Sequence, residues 1–298
     1  MNDASNQTLS DRLFGFAIPS RDCRGRLVRL DRVLDDILSA HDYAPALKHC
    51  LAEALVVATL MGGLLKGEGD QLTLQAQGEG GLASMLVCDY RDGALRGYIE
   101  YDREGGADIG ASPSLERLFG KGHLAITFEI AATGQRYQGI VPLEGASLGE
   151  AVETYFGQSE QVPTRIRTAV SSGPDGCVGG GLLVQHLPEG EEGRERLHAR
   201  LDHPHWEHVA ILADSLRHEE LVDRDLPLED LVWRLYHEED EVRVVAGSAI
   251  SKGCRCSEIH FEDVLSRFPK EDRREMANED GIIVVDCAFC SKEFAIQD

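Results

Sequence analysis

The sequence predicts an α+β protein: an N-terminal mixed α/β domain with a large sheet, a run of helices, and a small C-terminal domain carrying paired cysteines. Three observations predict it. Between residues 71 and 187 the apolar positions repeat with period two in several short segments, with helical segments interspersed but not strictly alternating, which favours α+β over a doubly wound sheet. A charged, glycine-spaced break, Glu189-Gly190-Glu191-Glu192-Gly193, separates these strands from segments of helical period. Half of the 8 cysteines then gather beyond Val242. A length of 298 residues fits a prior of about two domains.

Taken in order, residues 1–11 are polar and read as a disordered N-terminus. Phe14–Ile18 and Leu27–Leu30 read as short strands around a turn holding Arg21, Arg24 and Arg26. Asp31–Ala40 is a short helix with Val33, Leu34, Ile37 and Leu38 on one face. Pro45–Leu65 is a longer helix. Its proline sits in the first turn, where a missing N–H costs nothing, and Gly67 and Gly69 close it. Gln71–Gln77, Leu82–Asp89 and Leu95–Tyr101 are strands, with a turn at Gly78–Gly81. His123–Ile130 and Tyr137–Val141 form a hairpin through Thr133-Gly134. Ser147–Phe156 is a helix whose Ser147 and Glu150 make a capping box. Thr164–Val170 and Gly181–Leu187 are further strands. Two helices follow, Trp206–Leu221 and Pro227–His237.

Composition removes several functions. With 30 Lys+Arg against 52 Asp+Glu the net charge is −22, which argues against a broad phosphate-binding surface and so against nucleic acid as a partner. No apolar run approaches the ~20 residues of a membrane helix. The N-terminus lacks a basic-then-apolar leader, so a cytoplasmic location, with reduced cysteines, is expected. Gly78–Gly81 and Gly176–Gly181 lack the Gly-Lys-Ser/Thr ending of a phosphate loop and read as turns. Ser171 and Ser172 belong to no nucleophile elbow, and no catalytic set is visible, so the chain does not read as an enzyme. His203, His205 and His208 cluster without backing carboxylates and read as ordinary histidines.

The chemistry lies in the cysteines. Cys254-Arg255-Cys256 is a C-x-C pair, Cys287-Ala288-Phe289-Cys290 a C-x-x-C pair, and thirty residues separate them. Four thiolates from two tight pairs close a tetrahedral shell around zinc. Ile282–Val285 reads as a strand running into Cys287, and Phe294 follows Cys290 by four. That is a knuckle, in which turn N–H groups can donate to metal-bound sulfurs. Residues 240–298 are too few for a sizeable core, so the metal would matter for folding. One reading is a purely structural site. The other is a switch: each pair can form a local disulfide, zinc keeps the thiols reactive as thiolates, and oxidation would remove ligands worth ~10 kcal/mol or more of binding energy. A thioredoxin-like reading of Cys287 and Cys290 is weaker, because Ser291–Ile296 reads as a strand and supplies no helix N-terminus.

These residues resemble the heat shock protein 33 family of redox-regulated holdase chaperones. The resemblance rests on Gly253-Cys254-Arg255-Cys256-Ser257, Glu279-Asp280-Gly281, Cys287-Ala288-Phe289-Cys290 and Phe294. Leu235-Tyr236-His237-Glu238-Glu239 and Val242-Arg243-Val244 add to it, as do His41-Asp42-Tyr43, Leu51-Ala52-Glu53-Ala54-Leu55, Leu72-Thr73-Leu74-Gln75 and the stretch from Tyr155 to Gln161. It runs from about residue 12 to 295. It implies a chaperone domain over 12–188, a metastable helical linker over 189–238 and a zinc-binding redox-switch domain over 239–298. It implies one zinc on Cys254, Cys256, Cys287 and Cys290 in a reduced, inactive monomer. It further implies that oxidation forms the disulfides Cys254–Cys256 and Cys287–Cys290, releases zinc, and yields a homodimer that holds unfolded client proteins. The remaining cysteines divide into Cys50 and Cys88, expected in the core, and Cys23 and Cys177, expected in turn-like, exposed segments. The alternative function is a zinc-ribbon protein that binds nucleic acid or a translation partner, disfavoured by the charge.

Overall fold

The structure, a computed structural model, describes residues 10–102, 113–187 and 203–297. The break at 189–193 and nearly all of the stretch expected to be disordered lie outside them. Asp11, counted in that stretch, is fixed: its carboxylate accepts the N–H groups of Asp31 (2.8 Å) and Val33 (3.3 Å).

Strands β1 (Arg12–Ile18) and β2 (Cys23–Leu30) are followed by helices α1 (Arg32–Leu38) and α2 (Pro45–Gly62). Then come β3 (Gln71–Gly80), β4 (Ala83–Arg91), β5 (Ala94–Tyr101), α3 (Leu115–Phe119), β6 (Gly120–Ile130), β7 (Gln135–Pro142), α4 (Leu148–Tyr155), β8 (Thr164–Gly173) and β9 (Gly176–His186). Helices α5 (Pro204–Asp214), α6 (His218–Val222) and α7 (Leu228–Tyr236) lead to β10 (Arg243–Ala249) and β11 (Ser251–Lys252). The chain ends with α8 (Glu258–Leu265), α9 (Lys270–Met276), β12 (Ile282–Asp286) and β13 (Glu293–Gln297). The expected α+β architecture is present, with two large sheets where one was expected. Their strand orders are β10-β1-β2-β9-β8 and β11-β5-β4-β3-β6-β7.

Helix α2 lies between the sheets, touching β2, β8 and β9 on one side and β3, β4 and β5 on the other. That explains why its composition is apolar all round rather than striped. By length and composition it could cross a membrane, but 78% of that window is buried inside the protein. Leu60 and Met61 are core residues of this helix. The helix ends at Gly62 instead of Leu65, because Leu64 and Leu65 turn back to bond the carbonyls of Met61 and Gly62.

The period-two pattern of the first sheet sorts its side chains into two cores. Leu13, Val28, Leu30 and Leu183 face α2. Phe14, Phe16, Ile18, Leu27, Leu182 and Val184 face the opposite way, under α5, α6 and α7. Strand β9 is therefore buried on both faces. Its glycines, read from sequence as a turn, are strand residues with a packing role. A Cβ on Gly181 would meet Val56 and Leu60 of α2, and one on Gly180 would lie 2.2 Å from the carbonyl oxygen of Leu221.

The helix expected over Trp206–Leu221 is two helices. Ser215 Oγ donates to Leu212 O (2.6 Å), Leu216 is buried in the second core, and the Glu220 carboxylate accepts the N–H of Arg217 (2.9 Å) to start α6. Strand β10, which follows the helices in sequence, pairs antiparallel with β1, and β11 pairs parallel with β5. Both lie in the sequence range 239–298.

Candidate metal centre and its docking surface

The C-x-x-C pair occupies the turn of the β12–β13 hairpin, just beyond the pairing of Asp286 with Glu293. Cys287 N bonds Lys292 O (3.0 Å), and the N–H groups of Cys290 and Ser291 return to Cys287 O at 3.2 and 2.8 Å. Ser291 closes the turn in the left-handed region, φ 54°. The C-x-C pair is presented by β11 and by Gly253, whose N–H bonds Leu95 O (2.8 Å), and it is followed at once by Ser257, the N-cap of α8. Phe261 of α8 packs on Phe294 of β13 (4.9 Å between ring centroids), which brings the two pairs together.

The four sulfurs converge. Cys254 Sγ lies 3.4 Å from Cys256 Sγ and 3.6 Å from Cys287 Sγ, and Cys256 Sγ lies 3.5 Å from Cys290 Sγ. All four fall within 4.8 Å of one another. A tetrahedron with metal–sulfur bonds of ~2.3 Å has edges of ~3.8 Å, whereas a disulfide is ~2.05 Å. The spacing is that of four ligands around one ion, and these residues can hold a metal. Burial raises the Cys254 thiol, but the Cys256 N–H and the neighbouring thiols outweigh it and bring it down to about 7. Burial and the neighbouring sulfurs push Cys256 up. Burial also raises Cys287, against the N–H groups of Phe289 and Cys290, which favour its thiolate. Backbone donors thus face the sulfurs, as a dianionic four-thiolate site requires. The surrounding core is small: Leu265, Ile283, Cys287, Phe294 and Ile296 are its buried members.

The residues inside the two pairs face the second sheet. Arg255 Nη2 lies 3.3 Å from Asp89 Oδ2 of β4. The same oxygen accepts Arg96 of β5 (2.6 Å), and Thr73 donates to its partner oxygen (2.7 Å). The Phe289 ring sits 3.9 Å from the Arg96 guanidinium carbon and edge-on to Tyr98 (4.9 Å). His41 completes the contact, with Nε2 3.4 Å from Phe289 O and Nδ1 3.1 Å from Ser291 Oγ. In the sequence Arg255 and Phe289 read only as spacers within the two pairs. Their partners come together because Asp89 and Arg96 are paired across β4 and β5.

The other cysteines are buried. Cys50 and Cys88 are core residues, as expected. Cys23 and Cys177, expected to be exposed, are strand residues at 3% and 6% exposure, because β2 and β9 extend further than their apolar patterns indicate. His203 caps α5 by accepting the N–H of His205 (3.3 Å), and His208 pairs with Glu239 (2.9 Å). Among the described residues the four C-terminal cysteines are the only grouping with metal-ligand spacing.

A family model described as Hsp33 protein matches residues 11–297. A 33 kDa chaperonin of Caulobacter vibrioides is 35% identical, over 99% of this chain and 98% of its own length. That of Ectopseudomonas mendocina is 37% identical over 99% and 92%, and that of Shigella boydii 34% over 95% and 91%. The crystal structure of the Thermotoga maritima 33 kDa chaperonin matches the fold with a TM-score of 0.76 at 20% identity, over 96% of this chain and 95% of that one.

Proposed function

The chain belongs to the Hsp33 protein family, and on that premise we propose that it is a redox-regulated holdase chaperone with no catalytic turnover, acting on unfolded clients in the cytoplasm. The observation that carries the proposal is the convergence of four cysteine sulfurs, from two short-spaced pairs, to 3.4–3.6 Å contacts. Cys254, Cys256, Cys287 and Cys290 hold one zinc in the reduced form, which lends the C-terminal segment the folding energy its few apolar residues lack.

Oxidation converts the four thiolates into two disulfides, Cys254–Cys256 and Cys287–Cys290 in the pairing that the family resemblance implies. Four electrons leave, taken up by two equivalents of a two-electron oxidant such as a peroxide or hypochlorite, whose oxygen ends as water or hydroxide. The sulfurs can then no longer ligate the ion. The domain boundaries proposed are 12–188, 189–238 and 239–298, with β10 and β11 of the last range pairing back onto the two N-terminal sheets. Helices α5 to α7 cover Phe14, Phe16, Ile18, Leu27, Leu182 and Val184, and uncovering that face supplies apolar surface for a client and for the homodimer that replaces the reduced monomer. The net charge of −22 keeps such a surface soluble.

Light scattering of a denatured client tests the proposal. The oxidised protein is expected to suppress aggregation at stoichiometric amounts and the reduced protein to leave it unchanged. Equal suppression by both forms, or by neither, overturns it.

A further inference from the structure

We propose that Arg255 and Phe289, the residues enclosed by the two cysteine pairs, form a latch that reports the state of the metal centre directly to the second sheet, by a route separate from the helices α5 to α7. The inference rests on the redox reading above. The helices pack on the first sheet, against β2, β8 and β9. The metal centre instead touches β4 and β5 of the second sheet, through Arg255 on Asp89 and Phe289 on Arg96 and Tyr98. Both contacts end on one cluster, because Asp89 and Arg96 are themselves an ion pair.

The latch needs both cysteine loops at once. The loops are held to each other by the cross-pair contacts Cys254–Cys287 (3.6 Å) and Cys256–Cys290 (3.5 Å). Disulfides within each pair contract the sulfurs to ~2.05 Å and remove the sulfur contacts across the pairs, leaving the loops joined only through the small core around Phe261 and Phe294. Arg255 and Phe289 then no longer present one surface. Asp89, whose side chain is 6% exposed, loses one of its two guanidinium partners, and the Arg96 guanidinium loses its aromatic cover. Next to this cluster β11 is held to the β4–β5 hairpin by short parallel pairing, with Ser251 N to Gly93 O (2.9 Å) and Gly253 N to Leu95 O (2.8 Å), and to α1 by Lys252 Nζ on Asp36 O (2.6 Å). Immediately before it, β10 is an edge strand on β1. Undocking therefore frees the end of a segment that ties both sheets to α7.

The test uses the full-length, reduced protein loaded with one zinc. Asp89→Asn breaks the charge pair from the sheet side, away from the sulfurs, and Phe289→Ala removes the ring. Zinc content and amide hydrogen exchange of residues 243–256 are read together with client suppression. An ion pair or a cation–π contact of ordinary strength gives roughly two- to fivefold faster exchange when lost alone, and about tenfold when both are lost together. Expected is that acceleration with zinc retained, together with client suppression in the absence of oxidant. If Phe289→Ala loses zinc, Asp89→Asn alone decides the matter. Exchange and inactivity equal to the parent's in the zinc-loaded Asp89→Asn protein, while the oxidised parent still gains activity, overturns the latch and leaves the redox reading standing. An oxidised parent without activity overturns the redox reading itself.

Discussion

Arg29 of β2 donates from Nε to the backbone carbonyl of Leu221 at 2.9 Å, and its other nitrogens reach the carbonyls of Leu226 (2.5 Å) and Glu220 (3.1 Å). The side chain is fully buried. A cation with no carboxylate in hydrogen-bond contact among the described residues thus ties the α6–α7 turn to the first sheet. Burying it carries a desolvation cost that carbonyls offset only while all three are in place. Replacing it with alanine strands those carbonyls and opens a cavity. Arg29→Ala is expected to destabilise the docked helices by about 3 kcal/mol or more. Trp206 fluorescence in the reduced, zinc-loaded variant checks this: a shift toward that of an exposed indole is expected, whereas a spectrum matching the parent's assigns Arg29 no role.

Glu239 joins the end of the helices to the N-terminal strands by accepting Arg21 (2.7 Å) and His208 (2.9 Å). Burial raises its carboxyl, but Arg21 and His208 outweigh that and hold it below the usual range. A carboxylate depressed in the folded state contributes stability that is complete above its unfolded value of ~4.3 and is lost as pH falls through the folded one. Glu239→Gln is therefore expected to lower Tm at pH 7 and to have no effect near pH 2. Equal losses at both pH values count against the ion pairs.

Four thiols are shielded. Burial drives Cys50 and Cys88 far up, raises Cys177, and takes Cys23 to about 12. At pH 8 a thiol at 12 is ionised in roughly one molecule in ten thousand. Native alkylation of the reduced, metal-free protein is expected to label Cys254, Cys256, Cys287 and Cys290, and Cys23, Cys50, Cys88 and Cys177 only after denaturation. Cys23→Ser with Cys177→Ser should leave the oxidised species unchanged on non-reducing gels. New or missing bands would place these residues in the redox chemistry.

The sequence makes some of this legible and hides the rest for physical reasons. The cysteine pairs carry their own geometry, since one or two intervening residues hold the sulfurs close wherever the chain goes. Alternation at Leu13–Ile18 and Leu182–Val184 reveals strands, because each neighbour faces a different core. Other features depend on contacts distant in sequence. The glycines of β9 are strand residues because α2 and Leu221 press on them from opposite sides. The break between α5 and α6 depends on Leu216 being buried and on Glu220 reaching back to Arg217. Asp89 and Arg96 became partners of Arg255 and Phe289 only through the register of β4 on β5, which no local pattern encodes.

Removing one ligand should unfold the small C-terminal core, which is built as much from the cysteines as from Leu265, Ile283, Phe294 and Ile296. Cys256→Ser is expected to weaken zinc binding by more than ~100-fold. The order of β12 and β13 should go with it, seen as loss of amide protection over residues 282–297. Protection equal to the parent's would mean that this core stands without the ion.

In the proposed switch, one event at four sulfurs both frees the ion and creates the chaperone. The most direct test follows zinc release, with a chromogenic chelator, and client suppression in a single time course of the reduced protein treated with a peroxide at raised temperature. One zinc per chain, released as two disulfides form and in step with the gain in suppression, is the predicted result. Suppression that rises while zinc stays bound, or zinc lost with no gain in suppression, would contradict it.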